Sequence, residues 1–166
     1  MSKPYILHTQ CLSPAVEKKA AALGYASMIM FMCKRSSCFQ VGALYFWIAP
    51  AIDHQQIAFF FNRTATPIGY VTWAHLADDV EHRLITDPDF LLHPAEWNEG
   101  GRTWIIDYCF PYGGSKESFH QLKDIFRAQG IEQVSWVRRN ADYSVRKKVR
   151  CRLQESVAPY REGLYD

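Results

Sequence analysis

The sequence contains no CxxC pair, no apolar run of membrane-spanning length, no internal repeat and no low-complexity tract. The five cysteines, at positions 11, 33, 38, 109 and 151, are odd in number and scattered, which argues against a disulfide framework and against a zinc site. The longest apolar stretch, residues 41–52, falls well short of the roughly 20 residues that a span requires. The opening residues MSKPYILHTQ lack a secretory hydrophobic region, so a cytoplasmic protein is expected. With a net charge of only +2, no single sign of charge dominates the chain. What is there is globular: 166 residues, 48% hydrophobic and 14% aromatic, are enough for one domain spanning 1–166 that buries roughly 70% of the unfolded surface.

The chain is organised around residues 102–115, RTWIIDYCFPYGGS. Trp104, Ile105, Ile106, Tyr108, Cys109 and Phe110 form the aromatic and β-branched run of a strand buried on both faces. Asp107 sits inside that run, and burying an unpaired carboxylate costs several kcal/mol, so it requires a partner or a task. Pro111 stops the strand and Gly113 and Gly114 turn it. Phe119, Leu122, Ile125 and Phe126 then recur at helical spacing, with Ser115 placed as N-cap. Strand, glycine turn and helix together make a place where backbone N–H groups can meet a phosphate.

The remaining elements follow from periodicity and punctuation. Ser13 and Pro14 open a helix that is expected to end at Gly24, and residues 25–32 read as a buried helix. A polar loop over 33–38 precedes an apolar helix over about 39–50. Residues 57–61 and 68–73 form a hairpin. Residues 74–84 read as an amphipathic helix opened by Ala74 and His75, with Leu76, Val80 and Leu84 on one side. Residues 90–101 are irregular, with Phe90, Leu91 and Trp97 expected at the surface, and a strand over 132–137 follows Gly130. The fold class is α/β in the α+β sense: a mixed, mostly antiparallel central sheet flanked by helices.

Basic residues concentrate in the C-terminal segment 138–166: Arg138, Arg139, Arg146, Lys147, Lys148, Arg150 and Arg152 lie close together against Asp142. Such a run is either a solvated face or a docking patch for an acidic partner, a carrier protein or a nucleic acid. Aromatic residues are not interleaved with it, which disfavours a single-strand nucleic-acid platform.

Three segments together resemble the RTX toxin-activating lysine acyltransferases, bacterial cytosolic enzymes that fatty-acylate protoxin lysines. The first runs from Leu23 and Gly24 through two apolar helices and their loop to Pro50, Ala51 and Ile52; the second is PIGYVTWAHL over 67–76. The third, and most specific, carries Gly101, Arg102, Trp104, Ile105, Ile106, Asp107, Tyr108, Pro111, Tyr112 and Gly113. The resemblance implies a fold similar to the GNAT acetyltransferases, with the donor cradled by the strand-to-helix turn at Tyr112, Gly113, Gly114 and Ser115. It also implies acyl carrier protein as donor, presenting an acyl-phosphopantetheine thioester, with no permanently bound cofactor and no metal. Arg138, Arg139, Arg146, Lys147 and Lys148 would dock that carrier. An RTX protoxin as acceptor and a homodimer are further implied partners, with Phe90, Leu91 and Trp97 able to supply an interface.

The chemistry of such a transfer requires a base, because a lysine amine with a pKa near ~10.4 must lose a proton before it attacks a thioester. The family is described as using a histidine on the loop between its first two helices together with the aspartate that corresponds to Asp107. Aligned without gaps, the histidine position falls on Ser36; matching the loop's serine pair instead moves it to Gln40. Neither titrates near neutrality. Three readings stay open: Asp107 works with a histidine from elsewhere, another residue serves, or the chain is a catalytically inactive relative that binds without turnover. His75 is the histidine nearest the sheet's functional end, Cys38 is a candidate nucleophile, and Asp107 itself has a structural alternative as an ion-pair partner of Arg102 or the basic tail. Tyr70 and Trp73 read as core, although in the family their strand borders the acyl channel.

Overall fold

The computed structural model describes residues 13–34, 36–37 and 39–153, with the side chain of Ser115 left out. Helix α1 (Pro14–Met32) starts after an extended Ser13, with Pro14 where no intrahelical N–H partner is needed. It does not end at Gly24. That glycine lies inside the helix with open space around it, and its cost of about 1 kcal/mol is outweighed by Ala26, Ile29 and Met30, which bury against the sheet. The half after Gly24 is buried on one side only, since Met28, Phe31 and Met32 stand exposed. After the helix, Ser36 N–H and Ser37 N–H both donate to Cys33 O.

The helix expected over 39–50 is shorter and changes type. A π-helical turn (Leu44–Ile48) leads into α2 (Ala49–Asp53), with Ala49 N–H donating to Leu44 O. Pro50 has no N–H to continue an α-helical ladder, and the widened turn accommodates it. Strands β1 (Ile57–Phe61) and β2 (Pro67–Leu76) form the expected hairpin, its loop tied by Asn62 Oδ1, which accepts from the N–H groups of Thr64 and Thr66. β2 extends past its expected end, so His75 lies on a strand and does not open a helix. Ala74 and Leu76 pair with Trp104 and Arg102, and both bury completely, which only strand geometry permits here. Helix α3 (Asp78–Thr86) begins two residues later.

After a 3-10 turn (Pro94–Trp97) come β3 (Arg102–Cys109) and α4 (Ser115–Ala128). Gly114, left-handed at φ 87°, occupies the N-cap, and Ser115 is the first helical residue where the N-cap was expected. Phe90 and Trp97 are not surface residues: at 8% and 0% exposure they pack with Leu76, Val80 and Trp104, leaving Leu91 alone of the three exposed. The basic segment forms a hairpin of β4 (Gln133–Arg139) and β5 (Val145–Arg152).

The five strands lie in the order β1-β2-β3-β4-β5, all antiparallel except β3 against β4. That parallel pair holds only at Thr103↔Val134 and Trp104↔Ser135, after which the strands part. One face packs on α4 through Val71, Trp73, Ile105, Val134, Leu122 and Phe126. The other face is covered by α1, α2 and α3 in two adjoining clusters centred on Tyr70 and Trp104. Among the described residues no helix is long and apolar enough to cross a membrane.

Candidate active site

The parting of β3 from β4 coincides with an irregularity on β3's other side. Thr72 faces Asp107 while the next residue, Trp73, faces Ile105, so Ile106 is an extra residue in the β3 strand. Such a bulge interrupts the alternation of faces. Ile105 and Tyr108 pack toward α4, while the consecutive residues Ile106 and Asp107 both turn to the face covered by α1 and α3.

Asp107 is half-buried and held by neutral donors. Tyr70 OH donates to Oδ2 at 2.7 Å, Tyr108 N–H donates to Oδ1 at 2.8 Å, and the Asp107 N–H donates to Thr72 Oγ1 at 3.1 Å. Tyr70 is 1% exposed; burial first, and then the charge of Asp107, push its phenol far above the usual range, so it remains a donor. The alternative of an ion pair from Asp107 to Arg102 or the basic tail is not met among the described residues. Arg102 turns instead to Glu81 at 2.8 Å and Asp78 at 3.3 Å, and Lys148 to Glu81 at 2.7 Å. Tyr70 therefore belongs to the site and not merely to the core. The signal available in the sequence was a phenol inside an otherwise apolar strand, whose hydroxyl needs a partner once buried.

Asp107 and Tyr70 line a cavity of ≈ 320 Å³ that Ser36 and Phe39 from the loop after α1 close on one side, and Asp89, Phe90 and Arg139 on the other. Ser36 and Asp107, far apart in sequence, thus share one cavity. Gln40 does not line it, and no histidine is among its described lining residues. His75 sits at the opposite end of β2, where its Nδ1 lies 3.0 Å from Thr103 Oγ1 and burial lowers its pKa. It lines a separate polar cavity with Glu81 and Arg102. Cys38 lies outside the described residues. Cys109, beside Tyr70 in the core, has its thiol pushed well up by burial and by the charge of Asp107, which keeps it protonated and unreactive.

On the α4 side of the split lies a second cavity of ≈ 350 Å³, walled by Tyr108, Phe119 and Trp136 and bordered by Lys116 and Arg138. Ile106 and Val137 line both cavities, so the two meet across the gap between β3 and β4. Tyr112, Gly113 and Gly114 are not part of either. With Met28, Phe31, Met32 and Ile68 they border a further cavity of ≈ 760 Å³ at the end of α1.

The five basic residues expected to dock a carrier do not share one face. Arg138 pairs across the hairpin with Lys147 on the α4 side, whereas Val137 pairs with Lys148 on the other. Arg139 is drawn into the Asp107 cavity, its guanidinium donating to Leu84 O and Tyr143 O, both at 2.7 Å. Arg146 is exposed at the bulged start of β5.

Residues 15–150 match the sequence model of the RTX toxin acyltransferase family. Among curated proteins, the leukotoxin-activating lysine-acyltransferase LktC of Pasteurella haemolytica-like sp. (strain 5943B) is 36% identical over 47% of this chain and 46% of its own length. The serotype A1 LktC of Mannheimia haemolytica is 38% identical over 45% and 44%. The protein-lysine myristoyltransferase RtxC of Kingella kingae is 33% identical over 48% and 46%. The chain thus spans a little under half the length of these relatives. Among solved structures, the GphF GNAT-like decarboxylase in complex with isobutyryl-CoA superposes with a TM-score of 0.54 at 12% identity, covering 74% of this chain and 64% of that one, which establishes a GNAT-like fold.

Proposed function

The chain belongs to the RTX toxin acyltransferase family, and from that premise we propose that it transfers a fatty acyl group from acyl carrier protein to the ε-amine of an internal lysine of an RTX protoxin, in the cytoplasm. The observation that carries this reading is the Asp107 carboxylate, held by Tyr70 and free of ion pairs among the described residues, in a cavity that meets a second one at the neighbouring Ile106, on the opposite face of a split sheet. The name of the Kingella kingae relative, a protein-lysine myristoyltransferase, supports a long acyl chain.

In this reading the phosphopantetheine arm enters from the α4 side and presents its thioester between Ile106 and Val137, while the acceptor lysine comes from the Asp107 side. Asp107 takes a proton from the lysine ammonium, with Tyr70 fixing the carboxylate so that its remaining lone pairs face the cavity. The neutral amine adds to the thioester carbonyl. Past Trp104 and Ser135 the facing edges of β3 and β4 no longer pair with each other, and their N–H groups can turn to the tetrahedral oxyanion. As the intermediate collapses, the C–S bond breaks, the amide nitrogen passes its remaining extra proton to the departing sulfur, which leaves as the carrier's thiol, and Asp107 releases the first proton to solvent. A homodimer completes the proposal, and exposed Met28, Phe31 and Met32 offer apolar surface for a second copy.

A second reading, a relative that binds protoxin or carrier without turnover, is favoured by Ser36 standing where the family histidine is expected. Incubating the protein with acyl carrier protein loaded with a fatty acid and an RTX protoxin, followed by peptide mass spectrometry, separates the two. Lysine-linked acyl groups that appear only with the protein present support transfer. A stable complex with no acylated lysine supports the binding reading and overturns the enzyme.

A further inference from the structure

The α4-side cavity carries a concentration of positive charge that the acyl-transfer chemistry itself does not use. Lys116 stands in the first turn of α4 and Arg138 near the end of β4, both exposed and both lining the cleft that leads to Ile106 and Val137. Lys147 lies directly opposite Arg138 in the hairpin. Among the described residues none of the three has an ion pair or a side-chain hydrogen bond. That distinguishes them from the neighbouring Arg139 and Lys148, which are fully engaged by backbone carbonyls and by Glu81. Two like charges placed opposite each other on adjacent strands repel, and an anion between them removes the penalty. Lys116 itself belongs to the first turn of the 14-residue α4, the positive end of that helix. Glu117 in that first turn opposes them, one carboxylate against three cations.

We propose that Lys116 and Arg138, backed by Lys147, form the seat of the donor's phosphodiester, the single phosphate at the head of an acyl-phosphopantetheine arm. This rests on the reading that the split sheet admits such an arm, and it gives Arg138 a role different from carrier docking: it grips the prosthetic group and not the carrier's own surface. The seat holds one phosphate beside an aromatic-walled cleft formed by Tyr108, Phe119 and Trp136, which suits the amide-rich, slender pantetheine chain. The pantetheine 4′-phosphate is common to the carrier-bound arm, where it is a diester, and to coenzyme A, where it is half of a diphosphate.

Calorimetry with inert thioether analogues tests the seat without requiring turnover. S-dodecyl-4′-phosphopantetheine should bind the wild-type protein about tenfold or more tightly than S-dodecyl-pantetheine, which lacks the phosphate. Lys116→Ala and Arg138→Ala should each lose most of that difference and leave the affinity for the phosphate-free analogue unchanged, while Arg138→Lys should retain part of it. A third arm with S-dodecyl coenzyme A separates the sources: tighter binding than S-dodecyl-4′-phosphopantetheine assigns the seat to the nucleotide form, and equal binding to the carrier form. Equal affinity of the wild-type protein for the first two analogues overturns the phosphate seat while leaving the donor path intact. Binding of neither overturns the donor path and the seat with it.

Discussion

The two ends of β3 each bring a carboxylate into the protein, and they treat it in opposite ways. At the first end Glu81, from α3, is 7% exposed and clasped by Arg102 and Lys148. Burial alone would raise its pKa, but hydrogen bonds and charge from those two cations outweigh it and hold the carboxyl at about 2. Lys148 also lies 5.0 Å above the Trp104 ring, tying the cluster to the core. At the other end Asp107 receives only neutral donors among the described residues and opens on a cavity. A carboxylate saturated by cations is committed to structure, because taking up a proton means breaking two ion pairs. One held by a phenol and a backbone N–H keeps its charge, its orientation and spare lone pairs, which a base requires. The contrast also explains where the basic tail goes: part of it is spent on Glu81, so it cannot all serve a partner.

Breaking the Glu81 end should have the largest effect on stability. Glu81→Gln leaves Arg102 and Lys148, both partly solvated, facing an uncharged partner and is expected to cost about 1–3 kcal/mol in chemical denaturation, with acyl transfer per folded molecule unchanged. The wild-type protein should show the matching pH dependence. The folded carboxyl titrates far below its ordinary 4.5, so its contribution is fully present above pH 4.5 and fades as pH falls toward about 2. Glu81→Gln should flatten that acid limb of the stability curve. An unfolding free energy equal to wild type would place the cluster on the solvated surface instead.

An effect confined to function is expected at Tyr70. Tyr70→Phe keeps the ring in the core and removes one hydrogen bond to a charged group, worth about 1.5–3 kcal/mol, so kcat should fall roughly 10–100-fold. KM for the protoxin should hold, because Tyr70 positions Asp107 and does not meet the acceptor. A raised KM at unchanged kcat would assign Tyr70 to binding.

Smaller still is the change expected from Ser36→His. It installs the family's usual residue in the Asp107 cavity, but where Asp107 with Tyr70 already moves the proton the gain should stay under about tenfold. A gain of 10²-fold or more would show that the missing histidine, and not the carboxylate, limits this chain.

How much of this was legible in the sequence differs between the two ends. The β3 strand, the turn at Gly113 and Gly114, the hairpin of β1 and β2 and helix α4 announce themselves through short-range periodicity and breakers. Asp107 stood out because a charged residue interrupted an apolar run. The end of β2 was misread because Leu76, Val80 and Leu84 satisfy helical spacing, while the pairing of Ala74 with Trp104 that overrides it comes from residues 30 positions away. Phe90 and Trp97 looked like surface residues for the same reason: the irregular segment that bears them has no pattern of its own and is buried by α3 and β3. The bond between Tyr70 and Asp107 depends on one extra residue at Ile106, and a bulge has no signature in local composition. The sharing of the Glu81 cations was equally hidden, since Arg102 and Lys148 reach it from two different strands.

The most direct test of the contrast is Asp107→Asn, assayed in parallel for acyl transfer to protoxin and for unfolding in denaturant. The amide keeps the volume, its oxygen can still accept from the Tyr108 N–H, and its nitrogen can donate to the Tyr70 hydroxyl oxygen. Acyl transfer should therefore fall by about 10²-fold or more while the unfolding free energy changes by less than about 1 kcal/mol. Undiminished transfer, or a loss of well over 1 kcal/mol in stability like that expected at Glu81, would contradict the assignment of Asp107 to the chemistry.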